Sequence, residues 1–333
     1  MALQGADLEP ALKGAVLKPA LNASHFIIYH RDENGKPDKK YHPNHAMATC
    51  VINSINICRD MLHTPEVRSA FKELATEYSI LRPKAWFLQG PATEEQMARL
   101  SEDFIDKILT TFPYVFVDDS MKNPVRMAVH WRNQWDGDFK FSDQYITLNG
   151  LRLRHMLAAA MCANSSEDED DLDQQDHRAF LFMFANCLLH EISHVFFTYL
   201  GKGTEHTPPI MKANMTDTVD ETEDKTMGES GRKLELLVFG GAMDILRDAK
   251  AGTPDDRCGT PYMNVDGGWH RVTQETIERT VKSEFKFPYD TSADESDLVL
   301  EPIGWGKPAS DPTDPLVHPD WPKLRDASLS TDP

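Results

Sequence analysis

Positive charge is scarce in this chain. Its 333 residues carry 35 Lys and Arg against 53 Asp and Glu, a formal charge of −18 with histidine neutral. That deficit argues against a nucleic-acid partner, since a phosphate-gripping surface needs clustered Lys and Arg. It equally disfavours a membrane surface of anionic lipid. No CxxC pair occurs, and the five cysteines (Cys50, Cys58, Cys162, Cys187, Cys258) are odd in number and scattered. Several lie in apolar runs, where a reduced cysteine is a small core residue. An uninterrupted apolar run of about 18 residues is missing, so no membrane span is expected. The N-terminus lacks the basic start and unbroken apolar stretch of an export signal, because Asp7, Glu9, Pro10 and Lys13 interrupt it. These absences predict a reducing, cytoplasmic setting.

What is present is ordinary for a globular chain: 40% hydrophobic and 26% charged residues, enough to bury one large core or two small ones. The stretch 25–30, HFIIYH, reads as a strand, and Asn34-Gly35 as the turn after it. Helical spacing of apolar positions predicts helices over 44–61 and 65–81. Over 93–111 it predicts a strongly amphipathic helix capped by Thr93, with Glu94 and Glu95 in its first turn. Short strand-like pieces follow at 114–117, 125–131 and 144–148. The acidic run 165–176 has no apolar pattern and reads as a solvated loop. From 178 to 200 the chain is apolar on nearly every helical face, which means a buried helix. The polar, acidic stretch 203–228 reads as a loop or flap, and 229–249 as a second buried helix, interrupted near Gly240-Gly241. A further helix is predicted at 273–284 with Thr273 as its cap, then an extended Pro-rich tail from Pro302.

Chemistry concentrates in His190-Glu191-Ile192-Ser193-His194, which fits H-E-x-x-H. On a helix, positions four apart lie on one face, so the two imidazoles can bind one Zn²⁺, with Glu191 beside them expected as general base. The bland reading buries three ionisable groups in a core helix without partners. That costs several kcal/mol, and a metal removes the cost. A catalytic zinc needs a third protein ligand and an open fourth position. Positions 197 and 200 are Phe and Leu, so the third ligand comes from elsewhere. Glu235, a carboxylate in the apolar run Leu234–Phe239, is the choice, with an ion pair to Arg232 or Lys233 as the competing reading. Glu229 completes Thr226-Met227-Gly228-Glu229, a capping-box pattern, and is read as a helix-start residue. His206 is a weaker ligand candidate. Tyr262, His270 and Arg271 are candidates for stabilising an oxyanion.

The H-E-x-x-H motif with a distant helical Glu resembles the zincin metallopeptidases of the gluzincin type. The segment Glu235-Leu236-Leu237-Val238-Phe239-Gly240-Gly241 is similar to the E-x-x-x-F-G-G stretch of clostridial neurotoxin light chains, whose Glu is the third zinc ligand. The likeness covers His190 to Gly241 only. It implies His190, His194 and Glu235 as ligands and Glu191 as base. The expected fold is α+β and zincin-like, with a small mixed sheet whose edge strand borders the cleft and the 178–200 helix as cleft floor. The expected divisions are an N-terminal subdomain 1–177, a mostly helical unit 178–301 that presents Glu235, and the tail 302–333. The expected activity is zinc-dependent hydrolysis of a peptide or small amide. Alternatives are small-molecule chemistry on the same scaffold (a lyase, cyclase or other hydrolase) and a zinc-stabilised binding module. Glu191 speaks against the last, because structural zinc needs no base.

Overall fold

The computed structural model describes residues 26–88, 91–123, 126–164, 171–203, 229–248, 256–265, 267–292 and 300–302. The architecture is α+β, as the sequence predicts. A first sheet combines β1 (Ile28–Arg31), β2 (Pro37–Lys40), β3 (Tyr114–Asp118), β4 (Ala128–Trp131) and β5 (Tyr145–Asn149) in the order β2-β1-β3-β5-β4. It is mixed: β1, β3 and β5 run parallel, while β2 and β4 are antiparallel strands at the two edges. Seven helices accompany the sheets among the described residues: α1 (Ala46–Leu62), α2 (Pro65–Leu81), α3 (Glu94–Thr110), α4 (Gly150–Ala163), α5 (Leu172–Leu200), α6 (Ser230–Phe239) and α7 (Gln274–Val281).

Local chemistry sets the helix ends. Thr64, Thr93 and Thr273 each accept a hydrogen bond from a first-turn backbone N–H, and Pro65 opens α2 where its missing N–H is harmless. The central element is α5. It packs against α1, α4, α6, α7 and β4, and its Phe180, Phe182, Phe184, Phe196 and Phe197 are buried. By length and composition α5 could cross a membrane, but 83% of its most apolar window is buried inside the fold. Burial of each such ring stabilises by roughly 1.5–3 kcal/mol, which is why the helix is apolar all round.

Several expectations need correction. The helix at 178–200 begins earlier, at Leu172, because Asp171 accepts from the Asp173 N–H and caps it. The expected acidic loop is thus helical from Leu172, and the expected boundary at 177/178 falls inside α5. The expected helix 229–249 ends at Phe239: Gly240 takes a left-handed conformation at φ 88°, and the chain turns into β6 (Ala242–Asp248). The C-terminal part is not mostly helical. β6 joins β7 (Thr260–Val265), β8 (Gly268–Arg271) and β9 (Leu300–Pro302) in an antiparallel sheet of order β8-β7-β6-β9. The expected strand at 125–131 is described from residue 126 and pairs over Ala128–Trp131. The acidic residues 165–170, the flap from 204 to 228 and the tail after Pro302 lie outside the described residues.

Candidate metal centre

Three side chains converge where α5 meets the start of α6. His190 and His194 rise from one face of α5, their ring centroids 5.1 Å apart. Glu229 caps the N-terminus of α6, its carboxylate accepting from the Gly231 N–H at 3.3 Å. Its Oε1 lies 2.7 Å from His194 Nε2 and 3.4 Å from His190 Nε2. One donor atom from each of His190, His194 and Glu229 falls within 4.8 Å of the other two. Glu229 therefore sits at the cap itself and not at the third helical position that the capping-box pattern requires. Thr226, the other half of that pattern, lies outside the described residues.

The far side of each ring is also held. His190 Nδ1 lies 2.7 Å from Glu235 Oε1, and His194 Nδ1 lies 3.0 Å from the Ser230 hydroxyl. Glu235 is buried and fully engaged: its other oxygen accepts from Arg232 Nη1 at 3.0 Å and from the Met243 N–H at 2.9 Å. Arg232 continues to Asp244 Oδ1 at 2.7 Å. The structure thus brings His190, His194 and Glu229 together on their Nε2 side and puts Glu235 behind His190, on the Nδ1 side. The competing ion pair of Glu235 with Arg232 is also present. Lys233 instead pairs with Glu77 of α2 at 2.9 Å.

Electrostatics follow this packing. Burial works against the charged form of His190, but Glu235 and Glu229 outweigh it and raise its pKa well above the usual value. Burial likewise opposes ionised Glu229, and the two imidazoles overcome it and hold the carboxyl well below its usual range. Glu235 is held down by Arg232 and His190 against its own desolvation. A divalent cation held by the three donors would offset the Glu229 charge from the same place.

Glu191 follows His190 on α5 and is only 6% exposed, and among the described residues its carboxylate makes no hydrogen bond. Arg132, which the sequence does not single out, lies within electrostatic reach of Glu191 and Glu229. Arg132 follows β4 directly. Burial lowers its pKa, and the carboxylates of Glu229 and Glu191 and the Tyr78 hydroxyl act on it in the opposite sense. Tyr262, His270 and Arg271 lie on β7 and β8, with Tyr262 buried between Asp244 and Arg271 in the sheet register. No hydrogen bond joins these three to the His190–His194–Glu229 cluster among the described residues. His206 lies outside the described residues.

Two signals in the sequence point to Glu229 in hindsight. Gly231 sits inside the first turn of α6, where no turn demands glycine. A Cβ there would collide with the His190 ring, so the glycine marks a close approach of α6 to α5. Ser230 adjoins it and supplies the hydroxyl behind His194. Comparison with known proteins adds nothing to this geometry: no family model, no curated protein and no solved structure matches the chain.

Proposed function

We propose that the protein is a zinc-dependent hydrolase of peptide or amide bonds, in which His190, His194 and Glu229 hold the metal and Glu191 is the general base. One observation carries this reading. Two imidazoles turn Nε2 toward a single carboxylate oxygen while a carboxylate and a hydroxyl hold each Nδ1 from behind. Such outer partners orient a metal-binding histidine and fix its tautomer. One of the two donor separations matches a zinc site, and the other is a hydrogen-bond length that a bound zinc would have to open. Ligands at about 2.0–2.1 Å from a tetrahedral zinc are separated by roughly 3.3 Å. The Nε2–Oε1 separations here are 2.7 and 3.4 Å. Three protein donors leave the fourth position for substrate chemistry.

Glu229 replaces Glu235 as the third ligand in this reading. Glu235 becomes the residue that orients His190, which departs from the likeness of its E-x-x-x-F-G-G segment to neurotoxin light chains. When bound, zinc supplies a Lewis acid for the carbonyl and brings the pKa of water to about 7. Glu191 accepts the proton as water adds to the carbonyl carbon, and later passes it to the leaving amine. Its buried carboxylate, without a hydrogen bond among the described residues, suits that exchange. A peptide is favoured over a compact small molecule by β4, which ends the first sheet and runs beside α5. Its outer edge offers backbone hydrogen bonds to an extended chain. The zincin-like assignment of the fold rests on the same features: a mixed sheet, an antiparallel edge strand and the active-site helix beneath it.

The test is incubation of the zinc-loaded protein with a peptide library, with products read by mass spectrometry. Discrete cleavage products are expected from the wild type. Glu191→Gln should keep metal and fold and abolish them, because the amide cannot take the proton. Cleavage by Glu191→Gln at the wild-type rate would refute the general-base role.

A further inference from the structure

Helix α2 sorts its charges by face. Its two basic residues, Arg68 and Lys72, both turn to α3. Arg68 pairs there with Glu102 and, at 3.2 Å, with Asp106, and Lys72 pairs with Glu94 at 2.5 Å. The side toward α6 carries Glu66, Ser69, Ala70, Glu73 and Glu77, positions three or four apart that form one stripe. A single carboxylate of that stripe is answered across the gap among the described residues: Lys233 of α6 lies 2.9 Å from Glu77. One turn further along α6 stands Leu237, which brings no charge to Glu73. Neither Glu66 nor Glu73 has an ion pair or a side-chain hydrogen bond among the described residues.

Beyond the Lys233–Glu77 pair the two helices leave an open cleft of about 380 Å³, lined by Pro65, Glu66, Ser69, Ala70 and Glu73 of α2 and Leu237 of α6. Ala70 is buried and Leu237 packs on the core, so these two form an apolar floor. Glu66 and Glu73 are exposed at its rim. Glu66 has a local reason to be there, because a carboxylate in the first turn complements the helix dipole. Glu73 has none: it precedes Glu77 by one turn, a like-charge spacing that weakens a helix. Seven positions separate Glu66 from Glu73, which sets them about 10 Å apart along α2.

We propose that this cleft docks a polypeptide segment carrying two Lys or Arg side chains about 10 Å apart, with an apolar side chain between them. The two cations take at Glu66 and Glu73 the place that Lys233 takes at Glu77. The apolar side chain covers Ala70 and Leu237. A segment in the polyproline-II conformation meets this spacing with residues i and i+3, at about 3.1 Å per residue on one edge. The charge of −18 attracts any basic chain at long range, and the cleft decides where it settles. Helix α6 has Glu229 at its cap and Leu237 about 12 Å further on, so a docked chain lies on the helix that closes the metal centre. The inference goes beyond the metal reading and does not need the centre to hold zinc.

The test is fluorescence anisotropy of a fluorescein-labelled peptide of repeated Lys-Leu-Ala triplets, titrated with the purified protein. Saturable binding that weakens with added NaCl is expected, and none for the matching peptide of Glu-Leu-Ala triplets. The double variant Glu66→Gln, Glu73→Gln should weaken binding by about fivefold or more, as loss of two ion pairs does. A control, Glu33→Gln with Glu284→Gln, removes as much charge from exposed positions on other elements and should change binding by less than about twofold. Leu237→Lys places the missing cation on α6 itself and should displace the peptide to a similar extent. Equal losses in the two double variants, wild-type affinity in Leu237→Lys, or no saturable binding to the folded wild type would overturn the proposal. The readout is binding alone, so this failure leaves the metal reading standing, and a zinc-free protein still tests the cleft.

Discussion

At the scale of single residues the site is a matter of which glutamate faces which nitrogen. Glu229 and Glu235 are six positions apart and both touch His190, one at Nε2 and the other at Nδ1. The sequence shows a carboxylate in an apolar helix at Glu235 and reads its burial as a sign of a metal. Burial is correct, but Arg232 and the Met243 N–H already satisfy that carboxylate. Spacing cannot reveal them, because the Met243 partner depends on the chain reversing at Gly240. That His190 and His194 share one face of α5 was legible, because i, i+4 geometry is local. The approach of Glu229 to them was not, since it depends on how α6 docks on α5. Two predictions belong here. Glu235→Gln should retain a zinc site but weaken zinc binding by about 10–100-fold in a competitive chelator titration, as removal of an outer partner does. A complete loss of zinc would make Glu235 a direct ligand. Gly231→Ala should also weaken zinc binding, although alanine favours a helix by about 1 kcal/mol over glycine. Its methyl group would displace the His190 ring. Unchanged affinity in that variant would show that α6 can shift without cost to the site.

At the scale of elements, helices with clear caps and one polar face are the legible ones. α2 matches the expected 65–81 residue for residue, and α3 and α7 follow their threonine caps. β2 was not legible, since Pro37–Lys40 is an exposed edge strand with no apolar alternation. β6 has apolar residues at Met243, Ile245 and Leu246, which suit a helix as well as a strand. Only the left-handed Gly240 and the pairing with β7 decide. α4 shows helical spacing at Leu153, Met156, Leu157 and Ala160, but its buried Arg152 and His155 break the apolar pattern. Arg152 is held there by the carbonyls of Arg257 and Cys258, both at 2.9 Å, partners remote in sequence.

The β1–β2 edge also carries a pH-dependent contact. His30 lies 3.2 Å from Asp119 and 3.0 Å from Asp38, and the Asp119 bond leads in raising its pKa against burial. The folded value exceeds the unfolded value of 6.5. Its contribution is thus fully present below pH 6.5 and is lost as pH rises through the folded value. Thermal unfolding followed from pH 6 upward should show this decline, and His30→Gln should flatten it. An identical slope in the variant would locate the dependence elsewhere.

At the scale of the whole molecule, α5 is the element that joins everything. It carries both imidazoles and the base, meets the first sheet through β4, and reaches the second through α6 and β7. The α+β class was legible from short apolar runs and one long one, while the mixed sheet with an edge strand was implied by the zincin resemblance. The second sheet was not, because antiparallel pairing of β6 with β9 links segments more than 50 residues apart. The centre forms at the seam between these parts, where α6 begins. Holding a cation there links folding to metal: zinc should raise the unfolding temperature, since the three donors converge only in the native chain.

The most direct measurement is the metal content of purified, folded protein, compared between the wild type and Glu229→Ala. The account predicts about one zinc per wild-type chain and a nearly empty Glu229→Ala protein with unchanged secondary structure. A folded wild type that takes up no zinc, or a Glu229→Ala variant that keeps a full equivalent, would contradict it.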